Sequence, residues 1–412
     1  MAATREAVWW RGGWNAALRG VTALGWTGTR IDVDHLLARA RRESRLDDYG
    51  DMEFVEPLSI LVREFEAVAN ADATGHQVMA QLILASLANR LRIREALRDR
   101  PEIADQPIVA PLFIVGLPRT GTTLLQGLLA SLGYLRTPRR WETYLPPAPP
   151  ALATKRQIKA QIRFTEKEVG AATGLSPQLM AAHEIGAELP EECNPLLMTS
   201  FRALFFGLMF ECPEYREYIY RTRFAHAYEW HRRHLQVLAF GQPETTWSLK
   251  SPVHLASLDG LLDTYPDARV IFTHRDPREA VASMAGLTAR LRMLMSPMLD
   301  KHELGRQLLG TLAAMQEAGE RTRDHWPAHA PPFLDLRYRD LVRDPLATVR
   351  AVLRHFGLPD DDVVEDRIRG YLRENAQHRH GQHQYSLAEF ALEEREIRAI
   401  FPREFELLAE PD

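Results

Sequence analysis

The sequence predicts an α/β fold, with a parallel β-sheet flanked by helices, an N-terminal helical region and a helical cap insertion. From Pro111 onward, short apolar runs alternate with turns and helical stretches, the pattern of a parallel sheet. Residues 1–107 show helical periodicity instead, and a proline-rich stretch starting at Pro146 interrupts the alternation until about residue 243. We therefore predict an N-terminal helical region at 1–107, packed on an α/β domain at 108–412 whose cap insertion spans about 146–243.

The N-terminal region is predicted to be helical because apolar residues recur at three- and four-residue steps over Val33–Glu43 and Gln77–Leu97. Its beginning is rich in tryptophan, with Trp9, Trp10, Trp14 and Trp26 set among arginines and glycines. These interruptions exclude the continuous apolar segment of a signal peptide. We expect a helical layer packed on the core, with peripheral membrane contact as the alternative, since tryptophan and arginine suit a membrane interface.

Four apolar runs predict the strands of the sheet, at Leu112–Val115, Thr246–Leu249, Arg269–Thr273 and Phe333–Leu336. Each run is followed by a polar cluster and then by a helical stretch; the clusters begin at Gly116, Lys250, His274 and Arg337. Ligands of open α/β sheets bind at the carboxyl ends of the strands. We therefore expect the four clusters to meet in one crevice, although more than 200 residues separate the first from the last.

The first cluster has the spacing of a phosphate-binding P-loop, which makes the predicted sheet one of the P-loop type. It reads Gly116-Leu117-Pro118-Arg119-Thr120-Gly121-Thr122-Thr123. Backbone N–H groups of such a loop and of the following helix bind phosphate. The version that binds ATP carries a lysine where this chain has Thr122, and Arg119 lies three residues earlier. The loop therefore points away from ATP and toward a phosphate group of lower charge.

A second anion site is predicted at the third cluster, where Arg275 ends a strand and Ser283 lies about two helical turns later. With both motifs in this order, the chain resembles the sulfotransferases that use 3′-phosphoadenosine-5′-phosphosulfate (PAPS). It looks closest to a bacterial branch that carries the same loop sequence, a Lys-Ser-Pro-x-His-Leu segment and a His-Arg-Asp-Pro segment. The resemblance covers about residue 105 to the C-terminus. It implies in-line transfer of a sulfuryl group from PAPS to an acceptor hydroxyl, with 3′,5′-ADP as the other product.

The resemblance also implies which residues bind the nucleotide. Those assigned to the 5′-phosphosulfate are Pro118, Arg119, Thr120, Gly121, Thr122 and Thr123. Arg275 and Ser283 are assigned to the 3′-phosphate, and Tyr338 to the adenine. The late segment that contains Arg379, His380 and Gly381 resembles the loop that closes over the 3′-phosphate.

Four residues are candidates for the chemistry. Arg119 would offset the charge that builds on the leaving phosphate, and Lys250 matches the second catalytic cation of the family. The acceptor hydroxyl must lose a proton, and two bases compete for that role. Glu142 occupies the better motif position and is preferred, whereas His254 needs less tuning of its pKa. The acidic, His-bearing stretches at His183-Glu184 and Glu188–Cys193 are either an acceptor-binding surface or a solvated face.

Charge and cysteine content limit the other classes of function. The net charge of −4 and the pI of about 6.4 give no general basic field for nucleic acid. Only Cys193 and Cys212 are present, which offers no disulfide framework or zinc spacing and suits a cytoplasmic protein. No metal is expected, because sulfuryl transfer needs no Mg²⁺ and the histidines at 226, 231, 234, 378, 380 and 383 form no ligand pattern. The acceptor is expected to be a small molecule, a lipid or a glycan.

Two other functions remain open at this stage. One is a P-loop nucleotide-binding protein, kinase-like or regulatory, that hydrolyses nothing. Thr122 argues against a kinase, and the pair Arg275 and Ser283 argues for a 3′-phosphorylated nucleotide. The other is a catalytically idle relative that binds a lipid or a partner through the tryptophan-rich beginning.

Overall fold

The computed structural model describes residues 30–143, 149–175, 185–222, 224–242, 246–296, 298–327, 333–375 and 386–409. The four tryptophans of the N-terminal start and Arg379, His380 and Gly381 lie outside these residues. Within the described ranges, no helix combines the length and the apolar character needed to cross a bilayer.

A five-stranded parallel sheet forms the centre of the molecule, in the order β2-β3-β1-β4-β5. The strands are β1 Leu112–Gly116, β2 Leu135–Arg136, β3 Thr246–Lys250, β4 Arg269–His274 and β5 Leu334–Arg337. The α/β prediction is confirmed, and each of the four predicted strands is found with its ends shifted by no more than one residue. The short β2 was not predicted, because two residues are too few to show a periodic pattern.

Strand β1 illustrates why these runs form buried strands. All five of its residues are buried, and alternate side chains point to opposite faces of the sheet. Phe113 and Val115 belong to one hydrophobic cluster, and Leu112 and Ile114 to another. Both faces are therefore covered, which explains the continuous apolar sequence.

Helices precede the sheet and separate its strands. Before β1 lie α1 Val33–Ser44, α2 Val55–Val68, α3 Ala73–Asp99 and the 3₁₀ turn Pro101–Asp105. Between β1 and β3 lie α4 Thr122–Ser131, α5 Arg140–Thr143, α6 Lys155–Leu175, α7 Asn194–Met198, α8 Leu204–Met209, α9 Pro213–Arg221 and α10 Ala225–Ala239. After β3 come the 3₁₀ turn Pro252–Ser257, α11 Leu258–Thr264, α12 Pro277–Met293, α13 Lys301–Asp324, α14 Tyr338–Arg343, α15 Pro345–His355, α16 Asp362–Glu374, the 3₁₀ turn Leu387–Phe390, α17 Glu394–Ile400 and α18 Pro402–Ala409.

The N-terminal helices share their core with one face of the sheet. Ile83 and Leu87 of α3 belong to the same hydrophobic cluster as Phe113 of β1 and Leu249 of β3. Aspartates cap the first turns: Asp32 accepts from the backbone N–H of residue 35, and Asp72 from that of residue 75. The segment boundaries at 107, 146 and 243 stay predictions.

Candidate active site

The phosphate loop, residues 116–123, connects β1 to α4 through an unusual backbone. Gly116, Arg119 and Gly121 have φ angles of 150°, 71° and 89°, all in the left-handed half of conformational space. Glycine adopts this region freely, whereas an arginine there is strained. Pro118 is buried, and α4 begins at Thr122. The loop thereby ends at the amino end of a ten-residue helix, whose first N–H groups have no partner within the helix.

The three threonines of the loop have different environments. The Thr120 hydroxyl donates to the Leu117 carbonyl at 2.7 Å and lies 2.6 Å from the Thr273 hydroxyl of β4. Thr120 therefore braces the loop against the neighbouring strand. The Thr122 side chain is buried, whereas Thr123 is exposed.

The residues predicted for the 3′-phosphate and the adenine lie against the same loop. Arg119 Nε donates to Ser283 Oγ at 3.1 Å, and Arg275 Nη1 donates to the Arg119 carbonyl at 2.9 Å. The Arg275 guanidinium is 4.4 Å from the centre of the Tyr338 ring. A Cβ on Gly121 would lie 2.6 Å from that ring. The predicted convergence of the clusters after β1, β4 and β5 is therefore observed.

Lys250 lies at the end of β3, on the side of β1 opposite to β4. Its ammonium lies 2.6 Å from Glu192 Oε1 and 3.4 Å from the Thr123 hydroxyl. The second carboxylate oxygen of Glu192 accepts from Asn194 Nδ2 at 2.6 Å. The Lys250 side chain is 1% exposed and that of Glu192 18% exposed. An oriented carboxylate and a buried ammonium thus lie beside Thr123, the exposed threonine of the phosphate loop.

The segment 190–194, which we call the Glu192 segment, is held by backbone contacts. The Cys193 N–H donates to the Lys250 carbonyl at 2.9 Å, so the segment lies beside the end of β3. Gln126 Nε2 of α4 donates to the Glu191 carbonyl at 3.1 Å. Strand β3 and helix α4 both carry residues of the phosphate site. The Glu192 carboxylate is therefore fixed relative to the phosphate loop.

Glu142 has a different setting. Its Oε1 accepts from Arg136 Nη2 at 2.8 Å and its Oε2 from the Arg139 N–H at 2.9 Å. The residue is buried. One oxygen therefore links α5 to β2, and the other binds the backbone just before α5 begins.

His254 lies behind Lys250 in the core. Its side chain is fully buried, its Nδ1 is 2.6 Å from the Tyr228 hydroxyl, and its ring packs edge-on against Phe113. Burial lowers the pKa of His254 to about 3, with the Lys250 charge acting in the same direction and the Glu192 charge against it. The imidazole is therefore neutral at physiological pH and enclosed by protein.

The sequence does not predict the ion pair of Glu192 with Lys250. It predicts only that residues 188–193 are either an acceptor-binding surface or a solvated face, because an acidic run gives no indication of its partner. The partner, Lys250, is 58 residues away in sequence. Only a topology that brings the segment to the end of β3 reveals the pair.

Comparison with known proteins places this geometry in a family. The sulfotransferase family model matches residues 111–362. Omega-hydroxy-beta-dihydromenaquinone-9 sulfotransferase Stf3 of Mycobacterium bovis is 27% identical over 298 residues, which are 70% of this chain and 72% of that protein.

Two solved structures are similar over almost their whole length. Sulfotransferase STF1 from Mycobacterium tuberculosis H37Rv has a TM-score of 0.80 and 28% identity, over 90% of this chain and 98% of that chain. Sulfotransferase STF9 from Mycobacterium avium has a TM-score of 0.83 and 25% identity, over 93% and 98%. Since the family match covers more than half of the sequence, the chain belongs to the sulfotransferase family.

Proposed function

We propose that this sulfotransferase takes its sulfuryl group from PAPS and transfers it to a hydroxyl of a small, largely apolar molecule. The observation that carries the donor assignment is the contact of Arg119 with Ser283 and Arg275. It supports a single nucleotide site with one anion position in the loop and a second one next to it. A 3′-phosphorylated nucleotide has phosphate groups at both places, whereas ATP has them at only one.

Each part of the donor has a matching part of the site. The phosphosulfate would lie at the amino end of α4, against the backbone of the phosphate loop. The 3′-phosphate would lie between Arg275 and Ser283, and the adenine beside Tyr338, whose ring already carries the Arg275 guanidinium. The side chains of Arg275 and Tyr338 would therefore orient each other before the nucleotide arrives.

The transfer is an in-line displacement at sulfur. The acceptor oxygen forms a bond to sulfur while the bond from sulfur to the 5′-phosphate oxygen breaks, and 3′,5′-ADP leaves. Arg119 and Lys250 offset the charge that develops on the leaving oxygen and on the sulfuryl oxygens. The proton of the acceptor hydroxyl passes to a carboxylate within hydrogen-bond reach.

We infer that this carboxylate is Glu192. Its contacts with Lys250 and Asn194 hold it on the loop side of the site, while part of its side chain is open. Both glutamates have both oxygens hydrogen-bonded, but the Glu142 side chain is only 6% exposed, against 18% for Glu192, and His254 is enclosed in the core. We therefore prefer Glu192 as the base over the two candidates that the sequence offered, and Glu142 and His254 are assigned supporting roles.

The acceptor class is inferred from the Stf3 relative. Its name states that it sulfates an omega-hydroxy derivative of a dihydromenaquinone, which is a hydroxyl on an apolar chain. We propose the same class of acceptor here, without choosing the compound.

A thermal-shift assay with the full-length protein tests the donor assignment. We expect 3′,5′-ADP to raise the melting temperature more than 5′-AMP or ATP with Mg²⁺ does, because only 3′,5′-ADP fills both anion positions. Arg275→Ala and Ser283→Ala should abolish the preference for 3′,5′-ADP over 5′-AMP. Arg278→Ala is the matched control, since Arg278 lies three residues after Arg275 but pairs with Asp276 and with Glu394 of α17. A larger shift with ATP and Mg²⁺ would favour the kinase-like alternative.

A further inference from the structure

Three potential metal ligands, one of them in the Glu192 segment, form a fully buried cluster. Cys193 belongs to that segment, His231 to α10 and His254 to the 3₁₀ turn after β3. One ligand atom from each lies within 4.8 Å of the other two, and each of the three side chains is fully buried. The cluster is spread over three segments, so sequence spacing cannot reveal it.

Both histidines are held by one ring nitrogen and leave the other without a partner. His231 Nδ1 lies 2.8 Å from the Tyr265 hydroxyl, and His254 Nδ1 lies 2.6 Å from the Tyr228 hydroxyl. Neither Nε2 has a hydrogen-bond partner in the part of the chain that the structure describes. Metal-binding histidines are typically held in this way, with the outer nitrogen hydrogen-bonded and the inner one bound to the ion.

The hydrogen bonds around His254 allow the tautomer in which Nε2 carries a lone pair. If the Ser257 hydroxyl donates to the Val253 carbonyl at 3.1 Å, the Tyr228 hydroxyl, 2.9 Å from Ser257 Oγ, can donate to Ser257. His254 Nδ1 then donates to the Tyr228 oxygen, and Nε2 is left as an acceptor. A buried acceptor with no donor costs free energy unless a proton or a cation faces it.

The protonation states of the three side chains are compatible with a bound cation, because none of them carries a positive charge. Burial lowers the pKa of His231 and of His254, so both imidazoles are neutral and can act as ligands. Burial raises the pKa of the Cys193 thiol, so it stays protonated until a cation displaces the proton.

We propose that Cys193, His231 and His254 bind one thiophilic transition-metal cation, with Zn²⁺ as the expected occupant. One thiolate and two imidazoles form the donor set that Zn²⁺ and copper prefer. On binding, a bond forms from the cation to Sγ, the thiol proton leaves to solvent, and the two Nε2 lone pairs complete the protein ligands. Ligands of one zinc ion lie roughly 3.3–3.6 Å apart. The separations here are all within 4.8 Å, so the ligand atoms would have to approach by no more than about 1 Å.

The bound ion would stabilise the segment that positions Glu192. Cys193 follows Glu192 directly, and its N–H is bonded to the Lys250 carbonyl. An ion bound to His231 of α10, His254 of the turn after β3 and Cys193 would tie the Glu192 segment to these two elements. Its effect on catalysis rests on the proposed role of Glu192, whereas metal binding itself does not.

Elemental analysis of the untagged, full-length protein, purified without chelators, tests the proposal. We expect about one zinc or copper ion per chain. Cys193→Ala and His231→Gln should lose it. Cys212→Ala and His234→Gln are matched controls that should keep it, since Cys212 and His234 are equally buried and lie outside the cluster. Circular dichroism checks that each variant is folded.

A second measurement keeps the test independent of the variants. Wild-type protein refolded with Co²⁺ should show a thiolate-to-cobalt charge-transfer band, and removal of the ion should lower the melting temperature until Zn²⁺ is returned. Wild-type protein with neither a stoichiometric metal nor the cobalt band would overturn the proposal. Retention of the metal by Cys193→Ala would also overturn it. Neither readout depends on sulfuryl transfer, so failure here is distinguishable from failure of the proposed function.

Discussion

Glu142 and Glu192 differ in what their oxygens contact and in side-chain exposure, 6% against 18%, and these differences predict different effects of the same substitution. Glu192→Gln removes the negative charge beside Lys250 while the side chain keeps its shape. Because a positioned base contributes about 10²–10⁴-fold, we expect the turnover number to fall by roughly that factor. The affinity for 3′,5′-ADP, measured by calorimetry, should change little.

Glu142→Gln is the control for that prediction. It weakens the ion pair with Arg136, so the main effect should be a loss of stability of about 1–3 kcal/mol in urea unfolding. The variant that remains folded should retain most of its turnover. If instead Glu142→Gln abolishes turnover and Glu192→Gln does not, the base is Glu142.

His274 predicts how stability depends on pH. It lies between two carboxylates, with Nε2 2.8 Å from Asp335 and Nδ1 3.0 Å from Glu404 of α18. Burial alone would lower the pKa of His274, but the hydrogen bonds and charges of these carboxylates outweigh it and raise the pKa to about 9. A histidine whose pKa is raised in the folded state stabilises it fully below about pH 6.5, and this contribution is lost as the pH rises through about 9.

The free energy of unfolding should therefore fall by up to about 3 kcal/mol between about pH 6 and pH 9.5 because of His274. Urea unfolding of the wild type and of His274→Gln at several pH values measures this contribution as the difference between the two curves. The difference should shrink with rising pH. Curves that stay parallel would show that the pKa of His274 is not raised in the folded protein.

The phosphate loop as an element depends on close contact between its backbone and Tyr338. A Cβ at Gly121 would lie 2.6 Å from the Tyr338 ring, on a residue with a φ of +89°. Gly121→Ala should displace that ring and the Arg275 guanidinium beside it, lowering the affinity for 3′,5′-ADP by about tenfold or more and the stability by about 1–2 kcal/mol. Calorimetric titration with 3′,5′-ADP measures the affinity.

Gly357→Ala separates backbone strain from this contact. Gly357 also has a positive φ, of +62°, but a Cβ there meets nothing within 4 Å. Gly357→Ala should lower the free energy of unfolding by a similar amount, because alanine is strained at this positive φ. The affinity for 3′,5′-ADP should stay unchanged. Equal losses of affinity in both variants would mean that the Tyr338 contact has no part in nucleotide binding.

The elements that sequence could predict are those whose signal is local. Strand β1 is an apolar run buried on both faces and followed at once by a glycine-rich turn, so its start, end and function all follow from adjacent residues. Strand β2 is two residues long, and its place beside β3 depends on partners more than 100 residues later. The pair Glu192 and Lys250 and the cluster of Cys193, His231 and His254 likewise need the topology, because no short spacing joins them.

At the scale of the whole molecule, one buried arginine connects the N-terminal helices to the rest. Arg90 of α3 is fully buried and donates to the carbonyls of Tyr49, Asp51 and Thr199. Its guanidinium lies 3.6 Å from the ring centre of Trp230 in α10. The contacts link the segment between α1 and α2, the end of α7 and α10, so Arg90 connects α3 to the hydrophobic core that it shares with the sheet.

Arg90→Met tests whether this connection determines global stability. The substitution keeps apolar volume but leaves several buried carbonyls without a donor, so we expect the free energy of unfolding to fall by about 3 kcal/mol or more. Arg94→Met is the control one turn later: Arg94 pairs with Asp48 at 2.9 Å, its side chain is 33% exposed, and its loss should cost less than about 1 kcal/mol.

Urea unfolding followed by tryptophan fluorescence should remain a single transition in both variants, because α3 and the sheet share one hydrophobic cluster. An early transition in Arg90→Met that leaves 3′,5′-ADP binding intact would instead mean that the N-terminal helices unfold as a unit of their own, separate from the nucleotide site.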